Sequence, residues 1–188
     1  ANLVAVPGCY PTASILGLLP VIPHLQKNSK IILDAKSGIS GAGKSSVENG
    51  LEEDIKENFK SYNVGFHRHQ PEIKDFLKTE FNLDHEIIFI PHLLPLFRGE
   101  YVTLYCEVSQ NDLDLNELYE SYYEKHKLVR VKEKGEIAEI KEVINTFYCD
   151  ISVSYAFQSN TIVVNSAIDN LLKGAASQAI QCLDIMSS

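Results

Sequence analysis

No stretch of this sequence stays apolar for the roughly 20 residues that crossing a bilayer requires. Residues Ala1 to Gly8 lack a basic n-region and a long apolar core, so they do not read as a signal peptide. Positive charge is scarce: 17 Lys and Arg stand against 25 Asp and Glu, a formal charge of −8. A phosphate-backbone binder normally shows a basic stripe, so nucleic acid is not an expected partner. Small anionic substrates remain open, because a few cations can dominate a pocket inside an acidic protein. Lys44, Arg68 and Arg98 are the candidates for that role. Paired cysteines are missing too. Cys9, Cys106, Cys149 and Cys182 lie far apart, with no CxxC and no zinc-finger spacing, so no metal is expected. Widely spaced cysteines without a signal peptide suggest a reducing, cytoplasmic setting, a disulfide framework being the weaker reading. Internal repeats, low-complexity tracts and flexible linkers are absent.

What remains is an ordinary globular composition, 45% apolar and 22% charged over 188 residues, enough for one domain with a sizeable core. The chain starts without Met, at Ala1-Asn2-Leu3, as if cut from something longer. The apolar run Leu3 to Val6 stops at Pro7-Gly8, and Pro11 suits the first turn of a helix continuing to about Leu25. Lys30 to Ala35 reads as a buried strand, followed by a Gly/Ser-rich loop from Ser37 to Ser46. Val47 to Phe59 suggests an acidic, solvent-facing helix. Asn63 to His69 is expected to be extended, since Gln70 precedes Pro71, which opens a helix to about Phe81. Strands are expected at Glu86 to Ile90 and Tyr101 to Val108, joined by the loop Pro91 to Gly99, with a helix at Leu115 to Lys127. Further strands near Val129, at Asp150 to Phe157 and at Thr161 to Asn165 precede a last helix from Asn170 to Met186. Strands in near succession late in the chain favour an α+β domain with a mixed sheet over a doubly wound one.

Four segments could carry chemistry. Pro7-Gly8-Cys9-Tyr10-Pro11-Thr12 puts a cysteine at a helix start, where backbone N–H groups favour thiolate. At a free-thiol pKa of about 8.5 only ~3% is thiolate at pH 7. A drop of about two units raises that to roughly three-quarters, but falling nucleophilicity cancels ~6–10-fold of the gain. A lowered pKa alone therefore makes no enzyme, and such a cysteine equally suits a small buried hydrophobe. In Gly65-Phe66-His67-Arg68-His69-Gln70-Pro71-Glu72, an extended backbone would put His67 and His69 on one face, near the carboxylate of Glu72. Two half-exposed histidines before a helix is the bland alternative. Pro91 to Gly99 forms a proline-stiffened loop in which Arg98 could clamp an anion, though loop arginines are usually solvated. Gly38, Gly43, Lys44 and Ser45 match the GxxxxGK[ST] phosphate loop. No acidic residue ends a second strand to hold Mg²⁺, and the following helix is strongly acidic, which weighs against that match. In Ile168 to Ala176 small residues recur at successive turns, which reads as close packing.

Taken in order, PGCYPTA, KSGISGAGK, HRHQPEI, PHLLPLFRG and DNLLKGAASQA resemble the successive signatures of the N-acetyl-gamma-glutamyl-phosphate reductase family, from Val4 to about Leu183. The resemblance implies a glyceraldehyde-3-phosphate dehydrogenase-like C-terminal domain, with a largely antiparallel sheet and helices on one face. It implies NADPH-dependent reduction of N-acetylglutamyl 5-phosphate to the 5-semialdehyde, with Cys9 forming a thioester and phosphate leaving. His67 would be the leading acid/base and His69 the second. Arg68, Glu72 and Arg98 would face the substrate, and Ser37, Gly38 and Asn170 the nicotinamide. A homo-oligomer, dimer or tetramer, is implied as well. Lys44 stands where an arginine is common in the family. No GxGxxG fingerprint follows any strand, so the NADP-binding Rossmann domain is expected to be absent from 1–188. The helix within 166–188 would pack on that domain, and the isolated chain is expected to be inactive.

Overall fold

Alternation of apolar and polar residues builds a seven-stranded sheet, described by a computed structural model for residues 3–43, 47–157 and 159–187. The strands are β1 (Lys30–Ser37), β2 (Lys60–Ser61), β3 (Glu86–Leu93), β4 (Glu100–Glu107), β5 (Val129–Val131), β6 (Cys149–Tyr155) and β7 (Thr161–Ile168). Their order is β2-β3-β1-β4-β7-β6-β5. β1 with β3 and β5 with β6 are parallel, and the other four pairings are antiparallel. The sheet is thus mixed and largely antiparallel, as expected. Side chains alternate across it, so register sorts them into rows. Phe89, Leu33, Leu104, Val164 and Val153 form one row on the core face. The row at the C-terminal end of β1 holds Leu93, Ser37, Glu100, Ile168, Cys149 and Val129, and one member of it is a carboxylate.

Helices cover this face. α1 (Cys9–Leu18) buries Tyr10, Ala13 and Leu18, and continues as a 3₁₀ stretch, Leu19–His24, because Pro20 and Pro23 withhold amides from further α-helical bonding. α2 is one turn, Glu52–Ile55. The acidic helix expected from Val47 to Phe59 is broken: Gly50 takes φ +88°, and only that turn remains regular. α3 (His69–Phe81) buries Ile73 and Leu77. α4 (Leu115–Tyr123), shorter than expected, is capped by Asp114 and clamps α1 through Tyr119 Oη, donating to Gly17 O at 2.7 Å, and Tyr123 Oη, donating to Leu16 O. α5 is the short Ile140–Val143. The last helix splits into a π turn, Leu172–Ala176, and α6 (Ser177–Ser187). α6 buries none of its described residues, and Ile180, Leu183 and Ile185 face outward.

The opposite sheet face carries Ile88, Ile32, Tyr105 and Val163 in one row, half exposed. At one end of that face Asp150, fully buried, accepts both Nε and Nη2 of Arg130 at 2.6 and 2.8 Å, a bidentate pair that offsets its desolvation. No helix among the described residues is long and apolar enough to cross a membrane.

Candidate active site

The site is built where α1 begins against the Glu100 row of the sheet. Gly8 is extended (φ −66°, ψ 168°), and the chain then turns helical at Cys9. Pro11 sits in the first turn, where its missing N–H costs nothing. Thr12 ties the turn, its Oγ1 donating to Gly8 O at 2.9 Å. Glu72, one turn into α3, accepts the Gly8 N–H on Oε1 at 2.9 Å. Gly174 of the π turn lies so close that a Cβ there would meet the Cys9 Cβ at 2.6 Å, so only glycine permits the approach. Glu72→Ala strips a half-buried N–H of its acceptor, a loss of about 1–3 kcal/mol. That corresponds to a fall in melting temperature of roughly 2–10 °C, most of which Glu72→Gln should avoid because its amide oxygen still accepts the Gly8 N–H. Calorimetry of the two variants checks it.

The two histidines meet there by a different route from the one expected. Residues 63–69 are not extended: Asn63 and Gly65 take positive φ, and the Phe66 N–H bonds to Asn63 O. Gln70 is helical although Pro71 follows, since the proline falls in the first turn of α3, where a missing amide is harmless. The turn still brings the rings together, with centroids 4.8 Å apart, beside Tyr10, Tyr62 and Phe89. A Cβ on Gly8 would meet the His69 ring at 2.9 Å or less, so that imidazole lies against the residue preceding Cys9. His67 Nδ1 accepts the His69 N–H at 3.2 Å, which leaves the His67 proton on Nε2 as a donor. Burial, then the charges of His67 and Arg68, lowers His69 to about 4. Burial and then Arg68 lower His67. Both are neutral near pH 7.

The Cys9 thiol departs from the expected thiolate. Its pKa is raised well above the usual value, by burial first and by Glu100 second. The helix-start effect is present, since the amides of Cys9 and Tyr10 pull downward, but it is outweighed. Glu100 was missed by motif reading. Its side chain is fully buried in the sheet row under Cys9, and neither carboxyl oxygen has a hydrogen-bond partner among the described residues. A signal was present: Glu100 shares parity with Val102, Leu104 and Cys106, all inward on β4.

The other expected residues divide. Ser37, Gly38 and Asn170 converge beside this row, but their polar groups serve the fold. Asn170 Oδ1 accepts Gly99 N–H at 2.7 Å, Asn170 Nδ2 donates to Ser40 Oγ at 2.9 Å, and Ser37 Oγ donates to Gly38 O. Arg98 donates to Asp169 Oδ2 at 3.3 Å and Asn145 Oδ1 at 3.1 Å, so part of its fork is engaged. Arg68 is exposed and forms no ion pair among the described residues. Lys173, also missed, is buried and donates to Gln181 Oε1. All four cysteines are free thiols, and no group of three His, Cys, Asp or Glu among the described residues could hold a metal.

The phosphate-loop alternative is not favoured. Lys44 and Ser45 lie outside the described residues, but the amides that should cradle phosphate are spent: Gly38 N–H bonds to Gly99 O, Ile39 to Leu96 O and Ser40 to Phe97 O. Among the described residues the only regular helix near the end of the loop is the single turn α2.

The profile of the family described as "Semialdehyde dehydrogenase, dimerisation domain" matches residues 9–170, spanning Cys9, both histidines, Glu100 and Asn170. The chain belongs to that family. Two curated relatives named N-acetyl-gamma-glutamyl-phosphate reductase, from Thermoanaerobacter sp. (strain X514) and Halothermothrix orenii, are 42% and 45% identical over 99% of the chain. The chain spans only 55% of each. Aspartate semialdehyde dehydrogenase II from Vibrio cholerae superposes with a TM-score of 0.78 at 16% identity, covering 99% of this chain and 62% of that one. At that identity the likeness speaks for fold: it is the same dimerisation-domain fold, with the sheet and helices of the semialdehyde dehydrogenases.

Proposed function

We propose that the protein carrying this domain reduces N-acetyl-L-glutamyl 5-phosphate to N-acetyl-L-glutamate 5-semialdehyde with NADPH, releasing phosphate, in arginine biosynthesis. The observation that carries the reading is a free cysteine at a helix start, preceded by a glycine that packs on one of two adjoining neutral imidazoles, in a chain 42–45% identical to proteins of that name. Cys9 Sγ attacks the acyl carbonyl, the C–O bond to phosphate breaks, and the thiol proton leaves with phosphate, giving a thioester and HPO₄²⁻. The Nε2–H of His67 suits stabilisation of the oxyanion that forms on the way, and its neutrality near pH 7 lets it exchange protons with the leaving group. His69 is the second acid/base candidate, held against Gly8. Glu72 acts by fixing Gly8, and Arg68 is better placed for an anionic substrate group than Arg98, part of whose fork Asp169 and Asn145 hold.

A bound NADPH supplies the hydride that reduces the thioester. Ser37, Gly38 and Asn170 fit the floor of a nicotinamide site, holding the 38–41 and 96–99 loops together; no dinucleotide phosphate cradle is built among the described residues. We assign most nucleotide contacts to the part of the relatives that these 188 residues do not span, so the chain alone should show little or no turnover. The outward Ile180, Leu183 and Ile185 of α6 suit packing against such a part. A second copy on the open sheet face would cover Ile32, Ile88, Tyr105 and Val163, making a homodimer.

The thioester is directly testable. Incubation with the acyl phosphate but no nucleotide, an acid quench and peptide mass spectrometry should place the N-acetylglutamyl group on Cys9. An unmodified Cys9 under single-turnover conditions would remove the covalent step.

A further inference from the structure

Buried carboxyls are normally paired or hydrogen-bonded, because desolvating one without a partner is costly. Glu100 has no cation beside it and closes no hydrogen bond among the described residues, and the Cys9 thiol is the one side chain poised to share a hydrogen bond with it. It has no exposed surface, and it sits in the sheet row on which the start of α1 rests. Its row neighbours offer little: Ser37 Oγ is turned to Gly38 O, and Ile168 is apolar. The groups facing it are Cys9 and Tyr10 of α1, Tyr62 from the segment after β2, and Cys149 of β6, all of them acids. Lys173, on the π turn beside α1, acts on Cys149 and Cys182 instead. A cluster of acids with no cation for Glu100 cannot hold two negative charges, and the Cys9 thiol is the one neighbour with a proposed reaction.

We propose that Glu100 is the acid partner of Cys9: a carboxylic acid kept neutral at working pH, whose proton is offered to the sulfur when it is thiolate, and whose ionisation stops the supply of thiolate from rising further. The idea rests on Cys9 as the nucleophile and adds a second proton to its site. With Glu100 protonated, the Sγ–H proton leaves with the departing phosphate, and the O–H of Glu100 donates to Sγ while sulfur carries charge, before attack and again when the aldehyde is expelled. No proton is lost from Glu100 in the cycle: the proton that left with phosphate is replaced at Sγ from solvent after the aldehyde departs. Above the titration of the acid, a carboxylate stands beside the sulfur and a thiolate would make two anions in one buried site. Burial holds Glu100 up at about 8, which puts that ionisation just above neutrality.

The test is the pH dependence of Cys9 alkylation by iodoacetamide in the full gene product, read at the Cys9 peptide by mass spectrometry. It does not depend on which acyl phosphate, if any, is the substrate. In the wild type the rate should rise about tenfold per pH unit and then level off near pH 8, because further deprotonation is taken by Glu100. Glu100→Gln keeps a neutral donor of the same shape, so its rate should stay within about threefold at pH 7 and keep climbing past pH 8. Glu100→Leu, without a donor, should react about tenfold more slowly at pH 7 and should also lack the plateau. A plateau that persists in Glu100→Gln, or a Glu100→Leu rate equal to wild type at pH 7, would overturn the proposal. Melting curves taken alongside separate loss of the pair from loss of fold.

Discussion

Replacing Cys9 with alanine lowers turnover of the full gene product by roughly 10⁴–10⁶-fold, the scale seen when the nucleophile of a covalent mechanism is removed. Without the sulfur no thioester forms, and none of the remaining groups can replace it: His67 is placed as a donor, His69 has its ring against Gly8, and Glu100 is buried. Serine should fare no better, because its hydroxyl ionises far less readily than a thiol. The fold should survive, since alanine keeps the Cys9 Cα and Cβ that lie against Gly174 and removes only the sulfur from a partly buried contact with the core. Cys182→Ala, half-exposed on α6, serves as the control and should keep full activity. A kcat assay with circular dichroism on each variant measures both halves of this expectation.

Glu100→Gln stabilises the protein, and more so as pH rises. Burial raises the Glu100 carboxyl from 4.5 to about 8, so between those values the folded chain holds a proton that the unfolded chain has released. Stability from this group is therefore whole below pH 4.5 and is lost progressively as pH climbs to 8. At about 1.4 kcal/mol per pH unit, the full loss is roughly 3–5 kcal/mol. His69 works in the opposite sense. Lowered from 6.5 to about 4, it refuses a proton that the unfolded chain accepts, so its contribution disappears as pH falls from 6.5 to 4. The two slopes oppose one another below pH 6.5, and the window from 6.5 to 8 isolates Glu100. There the wild type should lose about 2 kcal/mol while Glu100→Gln stays flat. Denaturant unfolding at half-unit pH steps reads this; parallel curves would mean that the carboxyl is not buried as described.

Much of the architecture could be read from periodicity. Ile31, Leu33 and Ala35 alternate with half-exposed residues, and their pattern marks a strand covered on one face. The site was legible where residue type and spacing coincide, in Cys9 before Pro11 and in the His67–His69 pair. It was illegible where three-dimensional register decides. Glu100 opens a strand after Arg98-Gly99 and looks like a solvated end, until pairing with Ser37 and Ile168 puts it under α1. The thiolate expectation failed for the same reason: the helix start was visible, whereas the burial and the carboxyl below it were not. Local steric rules misled at 63–70 because Asn63 and Gly65 accept positive φ and fold the segment into turns. The acidic run after residue 47 kept its composition but lost its helix at Gly50.

The most direct test of the whole account runs the reaction backwards in the full gene product. Phosphate-dependent reduction of NADP is followed with N-acetylglutamate semialdehyde, with aspartate semialdehyde as the competing aldehyde and Cys9→Ala as the blank. The account predicts reduction with the first aldehyde only, requiring phosphate and absent in the Cys9 variant. Reduction with neither aldehyde by a correctly folded protein, or activity that survives loss of Cys9, would contradict it.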